Sequence, residues 1–173
     1  SSRPDHPNYR VAHLTEKGRA QAVHAGQSLN SAGINDGNTA VVLVSPLPRT
    51  LETAEGLFTG SGIHPDKQTI EPLLLEISLG DMEGTSTKAW VQSGHSFTDF
   101  SDAHSYGGET NLDVRARMER LLASINVRYP VGHIIAVTHA LPGYELSGLV
   151  SGRKVELEVA DPLFLDLAAQ GAR

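Results

Sequence analysis

A chain of 173 residues is long enough to bury one sizeable hydrophobic core and short for two. Its formal charge of -6 and pI near 5.7 argue against a protein built mainly to hold a nucleic-acid backbone, so an anionic ligand needs a local basic pocket. With no cysteine there is no disulfide framework, no thiolate nucleophile and no cysteine metal site.

The first thirteen residues carry Pro4, Asp5, Pro7, Asn8 and two histidines without a hydrophobic period, and read as a loop or surface arm. From Leu14 the pattern turns helical. Thr15 is placed to cap, Glu16 falls in the first turn, and Ala20, Val23 and Leu29 form a stripe ending near Gly33. Ala40 to Val44 is a continuous aliphatic run, expected of a strand buried on both faces. Ser45-Pro46-Leu47-Pro48 breaks it, and Arg49 opens a second helix through Leu57.

Residues 59 to 68 are expected to turn, and Ile70 to Leu75 to form a short strand. Ile77 to Gly108 is poor in aliphatics and rich in Gly, Ser, Thr, His and Asp, which predicts long loops or short helices laid over a scaffold. Thr85 to Tyr106 is read as part of a lid that selects the leaving group. Asn111 to Ile125 returns to helical spacing, with Leu112, Val114, Met118, Leu121, Leu122 and Ile125 as its apolar set. A second buried strand over Ile134 to Thr138, a helix over Leu141 to Val150 and an edge strand near Leu163 to Leu167 complete the chain. This order predicts one α/β domain, a three-layer α/β/α sandwich with a mostly parallel sheet. The longest apolar runs are far below the roughly 20 residues a membrane span requires, and with no targeting segment a soluble, cytoplasmic protein is expected.

In parallel sheets, functional groups gather past the carboxyl ends of strands, where helix N-termini also point free N–H groups. Two segments deliver side chains there: Val44-Ser45-Pro46-Leu47-Pro48-Arg49 and Val137-Thr138-His139-Ala140. A guanidinium and an imidazole at neighbouring strand ends make an oxyanion clamp, because arginine offers a rigid fork of donors and histidine one more. Between them in sequence, Glu76 follows Leu73-Leu74-Leu75 and precedes a glycine-bounded turn; a semi-buried carboxyl there can hold a proton near neutral pH. Asp81 and Glu83 are read as solvated charges.

Five pieces in register carry a resemblance. They are Leu14-Thr15-Glu16-Lys17-Gly18 with Gln21-Ala22, Ser45 to Thr50 with Thr53-Ala54, Glu76 with Gly80 to Gly84, Gly108-Glu109-Thr110 with Arg115, and Val137-Thr138-His139-Ala140. Together, from about residue 12 to residue 150, they resemble the histidine phosphatase superfamily, which includes the cofactor-dependent phosphoglycerate mutases. The resemblance implies a phosphoglycerate mutase-like fold and a histidine that attacks the phosphoryl group to give a phosphohistidine. It also implies Arg49 as phosphate ligand, Glu76 as general acid and then base, and His139 as the second pocket histidine. Ala140 stands where the family usually has glycine and offers its backbone N–H to phosphate, and Glu109 matches a loop near the substrate entrance.

The reaction so implied needs no metal or cofactor and takes a small phosphorylated substrate, with no nucleic acid or membrane as partner; the oligomeric state is left open. The family's Arg-His-Gly strand is not among these residues: none of the eight histidines follows an arginine, and no aliphatic run precedes Leu14. The nucleophilic strand is therefore expected upstream of Ser1, and neither His6 nor His13 is assigned its role. The short interval from Glu76 to Glu109 favours a phosphomonoester phosphatase, with mutase-type phosphotransfer or a noncatalytic phosphate-binding module as alternatives.

Overall fold

The computed structural model describes residues 9–85, 90, 92, 94 and 99–151. In chain order the regular elements are α1 (Glu16–Ser31), β1 (Thr39–Val44), α2 (Pro48–Ser61), β2 (Gln68–Ile70), α3 (Asn111–Arg128), β3 (His133–Val137) and α4 (Ala140–Ser151). The strands form a parallel sheet in the order β2-β1-β3, and Val44 is level with both Ile70 and Val137 at the carboxyl ends.

Strand β1 is central, and its alternating side chains build the two sides of the sandwich. Val42 and Val44 pack with Leu29, Ala54, Leu57, Phe58 and Ile63, the face covered by α1 and α2. Val41 and Leu43 point the other way, into Leu74, Met118, Leu121 and Ile125, with Leu146 and Leu149 of α4 against them. The period-two alternation of a strand thus converts one aliphatic run into two cores. A third cluster, Ile77, Trp90, Phe100, Ala103 and Val114, lies under the connections after β2; the Trp90 ring stands 5.8 Å from Phe100 and edge-on to Tyr106 at 6.0 Å. The expected three-layer α/β/α arrangement is present.

The helix starts follow local chemistry. Thr15 accepts from the Gly18 N–H at 3.1 Å, and Thr110 with Asp113 forms a reciprocal capping box at α3. Helix α2 starts with Pro48 at a position where a missing N–H has no cost. It runs on to Ser61, beyond the expected end at Leu57, because Gly60 lies against α1 and only Gly62, at φ +74°, turns the chain.

Other boundaries also shift. The expected strand over Ile70 to Leu75 is instead β2 ending at Ile70 and a 3-10 turn over Pro72–Leu74; Pro72 has no N–H for a ladder, and Glu71 accepts from Leu73 N–H at 3.2 Å. Leu112, expected on the inner face of α3, is 75% exposed, and Arg117 takes an inward position alongside Val114, Met118, Leu121 and Ile125. The stretch after Glu76 holds the expected short helices, 3-10 turns over Gly80–Met82 and Ala103–Tyr106. His6, much of the stretch read as a lid, and the edge strand near Leu163 to Leu167 lie outside the described residues.

Candidate active site

Arg49 and His139 meet. Arg49 is the second residue of α2, just past β1, and retains only 6% exposure. His139 follows β3 and accepts the Gly143 N–H on its carbonyl at 3.0 Å, which makes it the residue from which α4 departs. Arg49 Nη2 lies 3.0 Å from His139 Nδ1, and Ser45 Oγ lies 2.8 Å from Nε2. A guanidinium can only donate, so Nδ1 is the acceptor and the proton of the neutral ring sits on Nε2, directed at Ser45. Burial, then the charges of Arg49, Arg117 and Arg10, push the imidazole down to about 3. The ring is therefore neutral at physiological pH, with Arg49 in contact and the charges of Arg117 and Arg10 acting from further away.

Glu76 approaches the same place from the connection after β2. Its Oε1 accepts from its neighbour Ile77 N–H at 3.1 Å, and its carboxyl is also bonded by the backbone N–H of Leu141 in the first turn of α4. Burial raises its pKa, while those two N–H groups and the charges of Arg49 and Arg117 pull the other way. Glu76 is half-buried, with its carboxyl close enough to Arg49 to feel its charge and attached to the helix that follows His139. Ala140 is the first residue of that helix and is exposed.

Glu109 is engaged by Arg117: Nε to Oε1 is 3.0 Å, and Glu109 Oε2 accepts from Ser78 N–H at 2.9 Å. Arg115, the arginine that completed the sequence motif, instead lies on the surface, 3.3 Å from Glu119 and 3.5 Å from Glu145. The position of the buried arginine was encoded in the periodicity of α3, where residue 117 falls on the face of Val114 and Leu121. Glu83, read as a solvated charge, is half-buried: its Oε1 accepts from Arg10 Nη2 at 2.6 Å and from Leu79 N–H at 3.0 Å. Ser45 and Arg10 are further additions that only the tertiary contacts reveal. Among the described residues no group of three His, Cys, Asp or Glu side chains could hold a metal ion, and no helix is long and apolar enough to cross a membrane.

This is a parallel α/β fold with an arginine and a histidine joined at the ends of adjacent strands. The model of the histidine phosphatase superfamily (branch 1) matches residues 9–153, and the chain belongs to that superfamily. Phosphoglycerate mutase-like protein 2 of Arabidopsis thaliana is 39% identical over 72 residues, 42% of this chain and 20% of that protein, so the chain spans about a fifth of that relative's length. The native structure of mycobacterial glucosyl-3-phosphoglycerate phosphatase is 25% identical with a TM-score of 0.68, over 92% of this chain and 76% of that one. Phosphoglycerate mutase from Bacillus anthracis is 18% identical with a TM-score of 0.69, over 88% and 74% respectively, a likeness of fold.

Proposed function

We propose that the protein is a phosphomonoester phosphatase working through a phosphohistidine intermediate, with residues 1–173 forming a single phosphoglycerate mutase-like domain that lacks its first strand. The observation that carries the reading is the 3.0 Å contact between Arg49 Nη2 and His139 Nδ1 at the ends of β1 and β3, with the half-buried Glu76 carboxyl, its pKa raised, near Arg49. In this reading Arg49 holds phosphoryl oxygens with its fork of donors, and the N–H of Ala140 at the start of α4 adds another. A phosphoryl dianion between Arg49 and His139 offsets the arginine's repulsion, raises the imidazole's pKa and lets its ring donate to the transferring group.

Glu76 protonates the leaving oxygen as the P–O bond breaks and a nucleophilic histidine nitrogen bonds to phosphorus. The resulting carboxylate then takes a proton from water. The water oxygen bonds to phosphorus, the P–N bond breaks, and the histidine and the acid are both regenerated. The attacking histidine is placed on a strand outside the present residues. The outer edge of β3 has no strand partner among the described residues, with Ile134 and Ile135 half-buried and Ala136 exposed. A parallel strand there would end beside His139. The likeness to a mycobacterial phosphatase favours water over a second sugar or acid hydroxyl as the final acceptor.

Hydrolysis of p-nitrophenyl phosphate by the full-length protein tests this. His139→Ala and Arg49→Ala are each expected to lower turnover by about a hundredfold or more, the order seen when transition-state charge stabilisers are removed. Turnover unchanged in both variants refutes the assignment.

A further inference from the structure

The stretch that carries Glu76 is pinned on both sides. Ahead of it, the Leu73 carbonyl accepts from Arg117 Nη1, and the Leu74 carbonyl accepts at 2.8 Å from Thr138 Oγ1, the residue before His139. Behind it, Ser78 exchanges two bonds with Glu109: the Ser78 N–H donates to Oε2 at 2.9 Å, and the Glu109 N–H donates to the Ser78 carbonyl at 2.8 Å. Glu109 and Arg117 are themselves joined at two places, Nε to Oε1 at 3.0 Å and Nη2 to Oε2 at 3.4 Å.

The backbones around these bonds have no room to drift. A Cβ at Gly80 would lie 2.2 Å from the Tyr106 carbonyl oxygen, and one at Gly108 2.8 Å from that of Ser78.

We propose that the Glu109–Arg117 ion pair is a positioning couple for the reaction, clamping residues 73–78 at both ends and so fixing the Glu76 carboxyl against the Arg49–His139 pair. The proposal rests on Glu76 acting as the proton donor. Both residues act through the backbone of the Glu76 segment and through Arg117's charge, so neither is a catalytic residue. Arg117 is buried and Glu109 half-buried, and an ion pair taken out of water contributes little to stability compared with apolar side chains of the same volume. What it supplies here is a fixed place for a carboxyl together with a fixed charge near it. The groups facing Glu76 are Arg49 from α2, Arg117 from α3 and the Leu141 N–H of α4; those facing His139 are Arg49, Arg117 and Arg10.

The test compares Arg117→Met, Arg117→Lys and Glu109→Gln in the full-length protein, with Glu76→Gln as reference. The Glu76 carboxyl is titrated by carbon-13 NMR, and kcat and KM are measured with an alkyl phosphate and with p-nitrophenyl phosphate. Arg117→Met removes a cation, so the Glu76 pKa should rise further and the matching limb of the pH profile should move up with it. The geometric loss should cost kcat about a hundredfold for the alkyl phosphate, with KM nearly unchanged. The loss should be smaller for p-nitrophenyl phosphate, whose leaving group departs without a proton.

Arg117→Lys should restore the pKa and part of kcat, and Glu109→Gln should lower kcat without raising the pKa. A merely structural pair gives the opposite sign: Arg117→Met admits water, the Glu76 pKa falls toward the ordinary carboxylate range, and kcat is retained below the melting temperature. That result overturns the proposal, as does a Glu109→Gln enzyme with unchanged kcat if Arg117→Met does not fold. Full turnover in Glu76→Gln instead overturns the general-acid reading beneath it.

Discussion

The two faces of the sheet are held by different means. On one, α1 and α2 approach until backbone meets backbone: a Cβ added at Gly26 would lie 2.3 Å from the Leu57 carbonyl oxygen, one at Gly56 2.6 Å from the Ala22 Cβ, and one at Gly60 2.0 Å from the Val23 carbonyl oxygen. On the other, the segments around Ser78 and Glu109 also approach closely, but buried charge and side-chain hydrogen bonds occupy the contact. The first kind of contact is dispersion and shape where the glycines meet, with the Arg19–Glu52 ion pair between α1 and α2 at 3.2 Å. The second places charge beside Glu76, whose pKa burial raises, while His139 lies at the strand ends between the two faces, against Arg49 of α2.

The largest effect is expected on the apolar face. Alanine is favoured over glycine within a helix by about 1 kcal/mol, so a loosely packed α1–α2 layer would be stabilised by Gly60→Ala. With the Val23 carbonyl in the way, overpacking should instead cost about 3 kcal/mol or more, read from the urea midpoint. A raised midpoint would dissolve the contrast between the two faces.

The charged face should make itself known through pH. His139 is neutral in the folded protein because its pKa lies at about 3, while in the unfolded chain it protonates near the ordinary 6.5. The folded state then binds fewer protons between those values, so this contribution to stability is complete above about 6.5 and is lost as pH falls toward 3. Glu76 has the opposite sign. Its folded pKa is raised, so its contribution is complete below the ordinary carboxylate range and is lost as pH rises through the folded value. Denaturation across pH should show His139→Asn removing a rise in stability between about 3 and 6.5, and Glu76→Gln removing a fall that sets in from the ordinary carboxylate range upward, each by at most about 1.4 kcal/mol per pH unit. Gly60→Ala should shift the whole curve without changing its shape.

The smallest effect lies at the border of the site, where Thr110 caps α3 next to Glu109. Its Oγ1 accepts from Asp113 N–H at 3.2 Å and donates to Asp113 Oδ2 at 2.6 Å, and this bond, ahead of those from Thr110 N–H and His104, brings the carboxyl down to about 2. Thr110→Ala should cost about 1 kcal/mol, with Thr110→Ser recovering most of it, measured by thermal denaturation. The Asp113 pKa should rise in the alanine variant. An unshifted Asp113 would mean that the box does not order this end of the helix.

Much of this architecture could be read along the chain. The aliphatic run Ala40 to Val44 announces a strand buried on both sides, and the residues after it and after Ile134 to Val137 supply Arg49 and His139 at the carboxyl ends. Local patterns failed where a partner distant in sequence decides the outcome. Helix α2 outruns its expected end because glycines that read as turn signals lie against α1. Glu83 read as a solvated charge because its partner Arg10 is 73 positions away. The motif arginine at 115 and the buried one at 117 are two positions apart, and the face of α3 that turns inward separates them.

The sequence by itself determined the order of helices and strands, the aliphatic centre of the sheet, and which residue types stand at its carboxyl edge, because each follows from side-chain period and local turn chemistry. Only the tertiary structure decided the protonation of the site. The tautomer of His139, the raised pKa of Glu76 and the link from Glu109 through Arg117 to Leu73 all depend on burial and on charges brought together from separate elements. Electrostatic energies follow distance and dielectric in space, neither of which is written in the spacing of residues along a chain.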